Sequence, residues 1–160
     1  MDFDYILDRR LAVGGGIWTR EAMAELARLG FTHVLNLQAE FDDSGLAAEC
    51  GVAAFWIPTE DDLAAKPAEF FERVADCALA ALSGDRARVY VHCAAGVHRG
   101  PLATAAILYA LGFDVEDAMA LVAARRLIAE FPDVYAASLR AWAEARMVQL
   151  AVDPDNPGGV

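Results

Sequence analysis

The stretch ARVYVHCAAGVHRGP, residues 87–101, passes from a strand pattern into a helical one across a loop of small residues. VYVH reads as a central strand, and the apolar run from Gly100 to Leu111 reads as a helix that follows it. A chain built on that unit is expected to be α/β, with a central, mostly parallel sheet flanked by helices. The remaining segments alternate in the same way. A short strand is expected at Leu11–Val13, followed by the turn GGG at 14–16 and a helix from Arg20 to Leu29, capped by Thr19 and stopped by Gly30. THVLNLQ (32–38) and VAAFWIP (52–58) read as strands on either side of a short helix near Gly45–Cys50, the second of them buried. Pro67 opens a helix in which Phe70, Val74, Cys77 and Ala81 recur at helical spacing, so Cys77 reads as a core thiol. Helices at Asp114–Arg126 and Asp133–Leu150 complete the pattern.

Length and composition bound the rest. A chain of 160 residues with 57% hydrophobic residues has enough apolar surface for one core, assigned to residues 1–150. Residues 151–160, ending in DPDNPGGV, are expected to be a disordered tail. Three cysteines without a CxxC pair argue against structural zinc and a disulfide framework, and point to a reducing cytoplasm. The longest apolar run falls short of a membrane span, and MDFDYILDRRL is acidic where a signal peptide would be basic. A net charge of −11 disfavours nucleic acid and anionic membranes as partners, while leaving room for a locally positive pocket.

The loop itself carries chemistry. Backbone N–H groups at Ala94, Ala95, Gly96, Val97 and His98 can curl into an anion-binding nest facing the N-terminus of the next helix. Arg99 can present its planar fork to two phosphate oxygens, and the same positive surroundings favour the thiolate of Cys93. A cysteine and an arginine at this spacing are weak evidence alone. Their position at a strand-to-helix turn, with a glycine between them, makes the phosphate cradle the stronger reading.

VYVHCAAGVHRGP resembles the HCxxGxxR signature of the protein tyrosine phosphatase superfamily, in its compact dual-specificity branch. FWIPTEDDLAAKPAEFFERVADCALAAL resembles that branch's general-acid loop and following helix, and RRLAVGGG with LARLGFTHVLNLQAE resembles its N-terminal strand–helix–strand. The downstream ILYALGFDVEDAMALVAARR resembles its later helices, so the likeness spans about residues 8 to 148. The resemblance implies Cys93 as nucleophile, Arg99 as phosphate clamp, and Asp61 as general acid, with Asp62 a second choice. It implies that His92 orients the loop, and that neither cofactor nor metal is required. His98 is less typical and is expected at the pocket rim; His33 is expected to be structural. Gly100 departs from the pattern, because the family commonly has Ser or Thr there to help the thiolate leave. Ala94, Ala95, Val97 and His98 supply no lysine of the kind phosphoinositide-directed members carry. The expected substrate is therefore a phosphoprotein first and a small phosphate ester second. Two rivals remain at this point, a rhodanese-like sulfurtransferase and a phosphate-binding module with little turnover.

Overall fold

The computed structural model describes residues 1–155. Five strands, β1 (Phe3–Leu7), β2 (Leu11–Gly14), β3 (His33–Gln38), β4 (Ala53–Thr59) and β5 (Val89–His92), form one sheet in the order β1-β2-β5-β3-β4. Only the β1–β2 pair is antiparallel; β2–β5, β5–β3 and β3–β4 run parallel. Six helices, α1 (Arg20–Arg28), α2 (Ser44–Glu49), α3 (Ala68–Leu82), α4 (Arg99–Ala110), α5 (Val115–Arg125) and α6 (Asp133–Val152), cover the two faces. The expected α/β architecture is therefore the observed one.

The strand pleat divides the core. Along β5, Val89 and Val91 join the larger apolar cluster with Phe71, Leu102 and Leu139, while Tyr90 points to the smaller one with Met23 and Leu26. Both faces are covered, which is why the central strand is apolar on every residue but its last. Local signals act as the residue types require. Thr19 accepts a hydrogen bond from the Ala22 amide, Asp114 accepts from Glu116 and Asp117, and Gly30 ends α1 at φ +93°.

Two expectations need correction. VAAFWIP reads as a buried strand, yet β4 is an edge strand with Ala53, Trp56 and Pro58 exposed. A proline belongs on such an edge, because no ladder bond is lost there. The N-terminal residues, read only as an acidic run, form β1, which pairs back on β2 through a tight turn. Helix α6 runs to Val152, and the part of the expected tail at 156–160 lies outside the described residues. Cys77 is half-buried against the larger cluster, where burial pushes its thiol pKa up.

Candidate active site

The loop from Cys93 to His98 joins the C-terminal end of β5 to the N-terminus of α4. Its carbonyls are all directed outward to partners. Ala94 O accepts from Gly16 N at 2.9 Å, Val97 O from Glu130 N at 2.8 Å, and His98 O from Leu102 N at 3.0 Å. Ala95 O and Gly96 O accept from the guanidinium of Arg126 at 3.2 and 2.7 Å. With the carbonyls turned out, the amides turn in. The N–H groups of Ala94, Ala95, Val97 and His98 take no protein acceptor among the described residues, as a nest for an anion requires. Gly96 makes the curl possible at φ +69°, where a Cβ would lie 2.7 Å from the Gly14 backbone and 2.6 Å from Arg126.

Cys93 Sγ lies inside this curl and accepts from the amides of Gly96 at 3.2 Å and Gly100 at 3.3 Å. Both are donors aimed at the sulfur, an arrangement that suits a negative charge there. Arg99, 5% exposed, sets its two terminal nitrogens on Glu40 at 2.9 and 2.7 Å and a third bond on Thr59 O at 3.0 Å. Its Nε is buried without a partner. An unpaired charged donor in the interior is costly unless a ligand completes it. Hydrogen bonding to Arg99 is the main reason the Glu40 carboxyl pKa falls to about 2.

His92 is fully buried. Its Nε2 meets Asp43 at 2.7 Å and its Nδ1 meets Cys93 O at 3.2 Å, while Asn36 donates to the same Asp43 at 3.2 Å. The ring thus ties the start of the loop to a buried carboxylate on the turn before α2. Asp61 reaches the end of the loop through one contact and α6 through another: its two oxygens meet His98 Nδ1 at 3.2 Å and Tyr135 Oη at 2.9 Å. His98 Nε2 meets Glu130 at 3.0 Å. The partly exposed imidazole bridges the cysteine loop to the Asp61 loop. Asp62 turns away to Lys66 at 2.8 Å, and that hydrogen bond is the first cause of its lowered pKa. His33 stacks on Phe55 and pairs with Thr32, away from the loop.

Burial opposes the charged form of His98, but hydrogen bonds to Glu130 and Asp61 and their charges outweigh it, so its pKa is raised. The pairing is therefore fully present below the ordinary histidine range and is lost as pH rises through the raised value. His98→Ala is expected to be less stable than the parent at mildly acidic pH, with the gap closing as pH rises. Partial exposure of all three groups limits it to within about 1 kcal/mol. Urea midpoints across a pH series measure this; a gap independent of pH contradicts it.

Four residues that matter here carry no motif in the sequence: Glu40, Asp43, Arg126 and Tyr135. Arg126 has the most far-reaching role. It is fully buried and pairs with Asp2 at 3.0 Å, just before β1, and with Asp4 of β1 at 2.9 Å. The one available signal was the i, i+2 spacing of those two aspartates, which places them on one face of a strand. Arg126→Met leaves two loop carbonyls without donors, and a stability loss of about 2–4 kcal/mol is expected. Asp2→Asn, at the more exposed of the two carboxylates, leaves Asp4 paired with the buried guanidinium and is expected to cost under about 1 kcal/mol. Equal losses in chemical denaturation would sink the assignment of Arg126 as the loop's prop.

Cys50 packs with the smaller apolar cluster and Cys93 with the larger, and all three cysteines are free. No group of three His, Cys, Asp or Glu side chains among the described residues is placed to hold a metal ion, and no helix among them is long and apolar enough to cross a membrane.

Residues 16–145 match the family described as the dual specificity phosphatase catalytic domain. No curated protein sequence matches the chain. Among solved structures, PTPMT1 shares the fold with a TM-score of 0.81 at 18% identity, over 94% of this chain and 99% of that one. Human DUSP28 gives 0.78 at 23% identity, over 91% and 99%. The active form of Tk-PTP gives 0.78 at 22%, over 89% and 97%. PTPMT1 is also known in complex with PI(5)P.

Proposed function

The chain belongs to the dual-specificity phosphatase family, and on that premise we propose that it hydrolyses phosphomonoesters through a phosphocysteine intermediate, phosphoproteins being the first substrate class. The observation that carries the reading is the loop at 93–99. A sulfur sits at its centre, unsatisfied amides surround it, and the buried Arg99 Nε stands unpaired. In the first step Cys93 Sγ attacks phosphorus in line, the bond to the leaving oxygen breaks, and Asp61 gives that oxygen its proton. Arg99 and the loop amides neutralise the equatorial oxygens. In the second step Asp61 takes a proton from water, the water oxygen attacks phosphorus, and the S–P bond breaks to return the thiolate and inorganic phosphate. The family match replaces the rhodanese-like reading, which offers no role for the Asp61 loop.

The mouth of the loop supports that substrate class. Glu60 precedes Asp61, while Glu40 and Glu130 pair with Arg99 and His98. Ala94, Ala95 and Val97 add no cation. A second anionic group beside the reacting phosphate would meet carboxylates, which favours a phosphorylated protein side chain over a phosphoinositide headgroup with its added phosphodiester. Phosphotyrosine and phosphothreonine peptides assayed beside PI(5)P test this; a higher kcat/KM on PI(5)P overturns the order.

Gly100 bears on rate. A Cβ there would lie 3.5 Å from Cys93 Sγ and 3.0 Å from Val13 Cγ2, so a serine fits beside the sulfur only if Val13 yields slightly. Thr104 is no substitute for the missing hydroxyl, because its Oγ1 donates to Gly100 O at 2.8 Å within the helix. Phosphocysteine breakdown is therefore expected to limit turnover. Gly100→Ser should shrink the rapid-quench burst of leaving group and raise the steady-state rate by about tenfold. A wild type with no burst contradicts the first half. A wild type that binds phosphopeptide but never turns over favours the phosphate-binding module instead.

A further inference from the structure

At the end of the sheet opposite the Cys93 loop, where β2, β3 and β5 begin, a groove of about 790 Å³ opens. Five of the thirteen basic residues of the chain line it: Arg9, Arg10, Arg28, Arg86 and Arg88. Elsewhere basic side chains are largely matched by carboxylates, as in Arg20–Glu49, Arg140–Glu116 and Arg146–Glu72. In the groove only Arg28 has such a partner among the described residues, Glu25 on its own helix. Arg10 donates instead to the carbonyls of Leu82, Gly84 and Ala87, and Arg88 to that of Leu29. Those bonds hold the two guanidinium groups in place without cancelling their charge. Arg9 and Arg86 are exposed and form no ion pair among the described residues, although Asp8 and Asp85 also border the groove.

Clustered cations without counterions raise the free energy of a fold through mutual repulsion, and an anion in the groove removes that cost. The contrast with a net charge of −11 is sharp. The cations rise from three separate segments, the β1–β2 turn, the end of α1 and the α3–β5 turn, so they can meet several carboxylates along a chain. Arginine's planar fork is suited to carboxylates, and the half-exposed Leu29 on the wall offers an apolar contact. We propose that this groove docks an acidic peptide segment of a protein partner, with Arg9 and Arg86 as its free anchors and Arg10 and Arg88 as its fixed ones. The four residues of β5, roughly 13 Å of strand, separate it from the Cys93 loop, so docking leaves that loop open. The proposal does not rest on the phosphatase reading.

The test is fluorescence anisotropy of a dye-labelled Glu-rich peptide with the full chain. Saturable binding that weakens with salt is expected, reduced at least about tenfold in Arg9→Glu/Arg86→Glu and kept within about twofold in the charge-matched control Arg73→Glu/Arg125→Glu. The milder Arg9→Gln/Arg86→Gln pair gives the same direction and carries the test if charge reversal lowers the unfolding temperature. Absence of saturable binding, or equal loss in the control, overturns the proposal. Inorganic tripolyphosphate bound as tightly as the peptide, with the same loss in the variant, makes the groove a small-anion site and overturns it too. So does a salt-sensitive dimer in sedimentation that disappears in Arg9→Glu/Arg86→Glu, which would assign the groove to a second copy.

Discussion

Cys93→Ser is expected to lower phosphatase turnover by roughly 10⁴-fold or more. The side chains are nearly the same size, so the 3% exposed pocket that holds the sulfur stays filled. The chemistry differs. The amides of Gly96 and Gly100 donate to the sulfur, and sulfur is intrinsically a far better nucleophile toward phosphorus than a hydroxyl oxygen. A serine hydroxyl in the same place would need a base, and the neighbouring imidazole is committed elsewhere: His92 spends both nitrogens on Asp43 and Cys93 O. Steady-state hydrolysis of p-nitrophenyl phosphate measures the loss, and acid quench with a labelled substrate should recover phosphate on the wild-type cysteine and none on the variant. Activity within tenfold of the parent, or a label that survives the substitution, would remove Cys93 from the mechanism.

Asp61→Asn is expected to cost roughly 10²–10⁴-fold on an alkyl or phenyl phosphate, whose leaving oxygen needs a proton. The loss should be much smaller on p-nitrophenyl phosphate, because nitrophenolate departs unprotonated. Asp62→Asn serves as the contrast. Asp61 is bonded to His98 of the loop and to Tyr135, whereas Asp62 is half exposed and drawn toward Lys66. Its substitution should change either rate by only a few-fold. The reverse ranking of the two variants would transfer the acid role to Asp62. A loss independent of the leaving group would show that Asp61 acts in positioning rather than in proton transfer.

Much of the fold was legible because it depends on near neighbours. Caps at Thr19 and Asp114, the stop at Gly30 and the apolar VYVH strand are set by contacts within a few residues. Misreadings arose where burial depends on sheet order. VAAFWIP is apolar enough for a central strand, but nothing within it says that β4 has a neighbour on one side only. β1 was obscured because its aspartates look like a solvated run until Arg126, more than a hundred residues away, is brought against them.

The same division holds for the site. Local sequence alone singled out the cysteine, the arginine and the glycine of the loop as candidates, since a tight backbone curl needs a residue that tolerates positive φ and the proposed chemistry needs a thiol and a planar cation close by. The different settings of the two adjacent aspartates, Asp61 on Tyr135 and His98 and Asp62 on Lys66, depend on partners that all come later in the chain. The outward anchoring of the loop carbonyls by Gly16, Glu130 and Arg126, and the filling of the Arg99 fork by Glu40, were likewise decided only by tertiary structure. Short-range geometry chooses residue types, whereas an isolated buried charge or carbonyl can be satisfied by any partner that the fold carries to it.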